Sequence, residues 1–193
     1  MTVFRYFRDP HGSRNSSSWQ PEPSACAICE RERPGYTGPF YGLERVEFVC
    51  EPCLAGGRLG ERGLTTNEAD VEALRTQLRS RGIADGELVD ERRAEVEERT
   101  PGVETWQDFL WPAHCGDFCR FEQEVGQTEL TALAGDGDGA SFFRAHVYDG
   151  DAADLDWDFV PPAAPAAGEA YSLGIYLFRC VECDRPVLLW DAD

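Results

Sequence analysis

SACAICE at residues 24–30 and FVCEPCL at residues 48–54 set Cys26 and Cys29 as one C-x2-C pair and, after 20 intervening residues, Cys50 and Cys53 as a second. A two-residue gap lets both sulfurs of a pair turn toward one ion, and two such pairs close a tetrahedron with zinc–sulfur bonds of about 2.3 Å. Four thiolates leave no open position for water. The spacing therefore predicts a structural zinc ion whose binding is itself folding energy, on the order of 10 kcal/mol in small modules.

Four further cysteines fall as Cys115-x3-Cys119 and Cys180-x2-Cys183. Joining them in a second four-cysteine zinc site would tie the middle of the chain to its end, where loop closure is entropically costly and a metal tether helps most. His114, beside Cys115, offers a substitute ligand. If only three sulfurs bound, an open coordination position could support catalysis, with Asp117 as the general base. The alternative role for Asp117 is to cap backbone amides of the knuckle. His11 and His146 stand without a partner motif and read as ordinary residues.

Other chemistries lack their signatures. No G-x-S-x-G occurs, and no C-x2-C opens a helix within a βαβ unit, so serine-hydrolase and thioredoxin readings fall away. The glycines of AGGRLGERG are followed by no Gly-Lys-Ser/Thr, which excludes a phosphate loop. The opening MTVFRYFRDPHGSR has no apolar run, and no stretch approaches the roughly 20 apolar residues of a membrane span. A cytoplasmic protein is expected, with its paired thiols committed to metal rather than to disulfides.

Charge narrows the partners. The 193 residues carry 36 acids against 18 bases, all of them Arg, for a net charge of -18. Such a field repels phosphate backbones and weighs against nucleic acid; it would steer a basic protein partner inward, at rates that fall with salt. Solubility or adaptation to salt accounts for the same charge. A hydrophobic content of 42% and 11% aromatics belong to a folded chain.

Working outward from the cysteines, Phe4, Tyr6 and Phe7 pin a first strand or an extended arm, and Ser16 to Pro23 form a loop. An alternating strand runs from Leu43 through Val46 and Phe48 to Cys50. Residues 67–81 form a helix with Asn67 as N-cap and Gly82 as its stop, and residues 86–98 a second helix. Thr100-Pro101 opens a third helical segment carrying Trp106, Phe109, Leu110 and Trp111. A short helix covers Glu129–Ala134, GDGDG is a surface turn, and residues 149–170 form an acidic Pro/Ala loop. YSLGIYLFRC and PVLLWDAD make a terminal hairpin around CVECDR.

Several of these blocks occur together in a known family. YTGPFYGLERVEFVCEPCLAGG, RTPGVETWQDFLWPAHCGDFCRF and YLFRCVECDRPVLLWDAD, with FRYFRDP at the start, resemble the CbrC family, small bacterial proteins linked to tolerance of a nuclease colicin. The resemblance spans most of the chain. It implies functional roles for Cys26, Cys29, Cys50, Cys53, Cys115, Cys119, Cys180 and Cys183, with His114 and Asp117 as additions. Tolerance of that kind means neutralising a toxin directly, or altering its entry or its damage; the acidic charge makes a basic toxin domain the expected partner for the first of these.

The expected architecture is α+β: a zinc-ribbon-like β module, a helical middle and a C-terminal β-hairpin, stapled by two zinc ions. One domain spans 1–193, with sub-regions 1–62, 63–112 and 113–193. The expected function is that of a zinc-stabilised, acidic binding protein. The alternative is a metal-dependent enzyme using an incompletely closed site near His114, Cys115 and Asp117.

Overall fold

The computed structural model describes residues 2–12, 18–84, 86–107, 109–148, 155–165 and 172–193. The architecture is mixed, with five α-helices and three small sheets among the described residues. Around the first cysteines lies a three-stranded antiparallel sheet of β1 (Trp19–Ala25), β2 (Glu32–Tyr36) and β3 (Val49–Cys50). It leads into the short helix α1 (Glu51–Ala55). Two details differ from the sequence expectation. Residues 19–23 are strand rather than loop, because Pro21 and Pro23 sit where the β1–β2 register shifts between Gln20 and Ser24. An exposed edge strand with a bulge tolerates missing donors. The strand expected from Leu43 shrinks to Val49–Cys50: only those residues pair with β2, and Leu43 stands fully exposed.

The helical middle contains α2 (Val71–Ser80) and α3 (Gly86–Arg99). The N-cap of α2 is Asp70, which accepts the Ala73 amide at 2.9 Å, and not Asn67. Asn67 lies just before the short strand β4 (Glu68–Ala69), and its amide instead reaches the carbonyls of Val96 and Pro101 at the end of α3. At its other end α2 closes as expected. Gly82 takes φ +70, and the amides of Ile83 and Gly82 return to the carbonyls of Leu78 and Arg79, a pairing that satisfies the last orphan acceptors. The third helical segment does not form. Thr100 Oγ1 donates back to Glu95 O at 2.7 Å, and residues 101–105 run irregularly to β5 (Leu110–Trp111), which pairs with β4 in parallel.

The C-terminal sheet has the order β6 (Ala113–His114), β7 (Asp117–Glu124), β8 (Leu173–Cys180), β9 (Pro186–Ala192). Strand β8 reads as a nearly continuous apolar run because both of its faces are covered. Tyr176, Phe178 and Cys180 join the larger core, while Leu173, Ile175 and Leu177 join a second cluster. That second cluster is roofed by α4 (Gln127–Ala134) and α5 (Gly139–His146), with Leu130 and Phe143 pointing in. GDGDG serves as the junction, its Asp138 capping α5 through the Ser141 amide at 2.9 Å.

The expected acidic loop 149–170 falls partly outside the described residues. Its described part, 155–165, is not a free loop: Val160 is buried, and Gln127 Nε2 donates to the carbonyls of Trp157 and Val160. The N-terminal arm forms no strand among its described residues; it bends along β7 and pairs with it through one isolated bridge. Its residue Phe7 bridges to Phe121 on β7 with ring centroids 4.9 Å apart. Phe121, Phe178 and Trp111 continue edge-to-face from there, and such pairs add about 0.5–1.5 kcal/mol each beyond their burial.

Candidate metal centres

The sequence Cys26-Ala27-Ile28-Cys29-Glu30-Arg31 makes a knuckle between β1 and β2. Its chain reverses because the Glu30 amide returns to Cys26 O at 2.8 Å and the Cys26 amide donates to Arg31 O at 3.1 Å, with Glu30 at φ +60. The turn aims backbone amides at sulfur. Ile28 N–H reaches Cys26 Sγ at 3.4 Å, and Cys50 N–H reaches it at 3.3 Å. Cys50 and Cys53 arrive on the first turn of α1, with Pro52 at a position where its missing amide costs nothing. All four sulfurs lie within 4.8 Å of one another, and Cys29 Sγ is 3.7 Å from Cys50 Sγ. No disulfide forms.

Burial would raise the Cys26 thiol, but the amides of Cys50, Cys29 and Ile28 outweigh it and bring it down to about 7. Burial pushes Cys50 up. Amides aimed at the Cys26 sulfur favour its thiolate, the form that binds a cation.

Cys180-Val181-Glu182-Cys183-Asp184-Arg185 repeats that knuckle between β8 and β9. The Asp184 amide returns to Cys180 O at 3.0 Å, the Cys180 amide donates to Arg185 O at 3.0 Å, and Asp184 has φ +59. Both knuckles read C-x2-C, acid, Arg. The acid after the second cysteine in each takes the left-handed conformation. That shared six-residue pattern was present in the sequence and is a signal that cysteine spacing alone passes over.

The other half of this second group comes from the β6–β7 hairpin. His114 pairs with Asp117 across a two-residue turn in which Cys115 (φ +59) and Gly116 (φ +76) are both left-handed, the conformation a tight hairpin demands. The turn is held from outside. Gln77 on α2 accepts the Gly116 amide at 2.8 Å and donates to Ala113 O at 2.8 Å, and Arg92 on α3 donates to Gly116 O. Arg81 at the end of α2 grips Glu182 of the knuckle with 3.1 Å contacts.

His114, Cys115, Cys180 and Cys183 thereby bring one ligand atom each within 4.8 Å of all the others. Cys115 Sγ lies 3.8 Å from Cys183 Sγ, and His114 Nδ1 lies 3.5 Å from it. Cys119 is not in the group, a correction to the four-cysteine set expected here. It stands on β7 opposite Cys180 in the ladder but is fully buried, and burial pushes its thiol well up. The left-handed Cys115–Gly116 turn brings His114 into the fourth place instead. Burial and the nearby Arg185 and Arg81 hold the imidazole pKa down, which favours the neutral ring a metal needs.

Asp117 is buried, and its carboxylate is fully engaged. Arg5 Nη2 and the Tyr6 hydroxyl each donate at 2.6 Å, the Phe118 amide at 2.8 Å, and Arg92 Nε lies 3.3 Å away. It caps a strand amide and ties the N-terminal arm and α3 to the hairpin of the second group. His11 pairs with Glu51, and His146 Nδ1 sits 2.8 Å from Phe142 O within α5. Neither joins a ligand group.

These features define a class: a small α+β protein whose thiols and one imidazole are gathered into two four-atom groups that could each hold a metal ion. The chain belongs to the family described as Uncharacterised protein family (UPF0167), whose model matches residues 1–192. It is 30% identical over 187 residues to UPF0167 protein Mb2317 of Mycobacterium bovis and to UPF0167 protein MT2352 of Mycobacterium tuberculosis, covering 95% of this chain and 89% of each relative. To UPF0167 protein PA1536 of Pseudomonas aeruginosa it is 28% identical over 189 residues, 94% of this chain and 92% of the relative. No solved structure matches.

The family assignment corrects the resemblance to CbrC proteins, and the link to colicin tolerance goes with it. The blocks that carried the resemblance encode local geometry: TGPFY is an irregular segment with a cis Gly38–Pro39 bond that ends in the Tyr41–Thr65 bridge, and HCGD is the tight β6–β7 hairpin. Local segments of that kind specify a backbone path and not an activity.

Proposed function

We propose that the chain is a zinc-stabilised binding protein in which each group holds one structural ion. One observation carries the reading, the spacing of the ligand atoms. A tetrahedron with zinc–sulfur bonds of about 2.3 Å has sulfur–sulfur edges of about 3.8 Å, and a zinc–nitrogen bond of about 2.0–2.1 Å makes the mixed edge about 3.6 Å. Cys29 Sγ and Cys50 Sγ are 3.7 Å apart in the first group; in the second, Cys183 Sγ lies 3.8 Å from Cys115 Sγ and 3.5 Å from His114 Nδ1. A disulfide would bring the sulfurs to about 2.05 Å. A set of four thiolates and a set of three thiolates with one imidazole are both closed, and both favour zinc over harder cations.

Structural ions leave the surface to supply the activity. The net charge of -18 supports a basic protein as partner, drawn in electrostatically and released by salt. No described helix is long and apolar enough to cross a membrane, and reduced thiols suit a cytoplasmic setting. The enzyme alternative loses its base, because Asp117 is occupied by Arg5, Tyr6 and Arg92. Native mass spectrometry with X-ray absorption tests the reading. Two zinc ions, one with four sulfurs and one with three sulfurs and a nitrogen, are expected. An intact disulfide, or a metal-free chain that still unfolds cooperatively, overturns it.

A further inference from the structure

A cavity of about 340 Å³ lies away from both cysteine groups, between the Tyr41–Thr65 bridge, the end of α3 and the irregular segment before β5. Tyr41 and Phe109 provide aromatic surface, and Val103 provides a buried apolar one. Glu68 and Glu97 bring carboxylates into the lining, and no arginine lines it. The volume falls in the range of small-molecule sites, as does the mix of apolar walls with a few polar groups.

The geometry of Glu97 fixes the polarity. Its Oε1 accepts the Ala69 amide at 3.2 Å, which anchors the side chain against β4. No hydrogen-bond donor among the described residues meets its Oε2. Burial lifts its pKa above the usual carboxylate value, Arg93 acts against that, and Glu68 and Glu98 add to it. A half-buried carboxylate with an open acceptor, set beside aromatic faces, is complementary to a cation that both donates hydrogen bonds and lies over rings. Anionic ligands meet two carboxylates in the lining and no arginine among the lining residues.

We propose that this cavity is a binding site for a small organic cation, an ammonium or amidinium head that meets Glu97 and an apolar body held between Tyr41 and Phe109. The site is independent of the metal groups, since none of its lining residues is a cysteine or histidine. The net charge of -18 concentrates such cations around the whole chain, so the test must separate the cavity from the general field.

Phenethylamine and 3-phenylpropionate share ring and chain and differ in the sign of the head. Titrated into the full-length protein and followed by calorimetry and NMR, the amine should bind at one site and perturb Tyr41 and Phe109, while the acid should not bind. Glu97→Gln keeps an oxygen for the Ala69 amide, so the fold should persist, and amine affinity should fall about tenfold or more. Phe109→Ala is the second variant and should weaken the amine in a protein with an unchanged circular dichroism spectrum. Equal binding of amine and acid, no binding of the amine, or amine binding unaltered in both variants overturns the proposal.

Discussion

The groups at Cys26 and Cys180 start from the same knuckle, down to the acid with positive φ and the arginine carbonyl that closes it. They are completed differently. In the first, the second half rides on helix α1, and Cys26, Cys50 and Cys53 are 1%, 0% and 4% exposed. In the second, the partner half is a hairpin turn, an imidazole replaces a sulfur, and Cys183 is exposed. Completion by a helix buries the group at the rim of the core; completion by a second hairpin leaves it near the surface, clamped from outside by Gln77, Arg81 and Arg92. The first group lies mostly in the core, while the second reaches the core through Cys180 and otherwise clasps elements together near the surface.

That difference predicts unequal losses. Cys50→Ser should remove one zinc and unfold the 19–55 module, the largest effect, because structural zinc contributes on the order of 10 kcal/mol. Cys183→Ser should also remove one zinc yet leave the signature of that module intact. Native mass spectrometry with circular dichroism decides it, and equal unfolding in both variants breaks the comparison.

Asp117→Ala comes next. It strands Arg92 and Tyr6 without their shared acceptor, and should cost about 3–5 kcal/mol in denaturant unfolding. The loss should fall on the hairpin side, lowering zinc retention at the second group before the first.

The sheet that carries the second group also has a pH dependence. Burial, then Asp191 and Glu104, raises Glu124 to about 7 from an ordinary 4.5. A carboxyl whose pKa is raised on folding holds its proton more tightly when folded. It therefore contributes stability that is full below pH 4.5 and is lost as pH rises to about 7. Glu124→Gln should flatten that decline by about 3 kcal/mol, seen as the difference between wild-type and variant unfolding curves across the window. No difference between the curves removes the assignment.

The smallest effect sharpens the ligand set. Cys119→Ala should leave two zinc ions bound and cost about 1 kcal/mol of packing. His114→Ala should weaken the second ion. The reverse result restores the four-cysteine set.

Much of this was legible in the residues. Two-residue gaps brought Cys26, Cys29, Cys50 and Cys53 together, as did Cys180 and Cys183, because a knuckle is local chemistry. Helix α3 and the terminal hairpin followed from periodicity, and Gly82 from its conformational freedom. Failures came where a distant element outbid a local preference. Asn67 is a good cap by composition, but the carbonyls at the end of α3 claim its amide. Thr100-Pro101 suits a helix start, but Thr100 closes the helix before it.

By itself, then, the sequence determined the knuckles, the α+β class and the acidic charge, since each depends on neighbours within a few residues or on composition. Tertiary structure alone decided that His114 and not Cys119 joins the second group, that Asp117 ties Arg5, Tyr6 and Arg92 together, and that Tyr41, Glu97 and Phe109 share a cavity. Those outcomes turn on which side chain faces which neighbour after strands pair. A strand offers two faces, and only its partners choose between them.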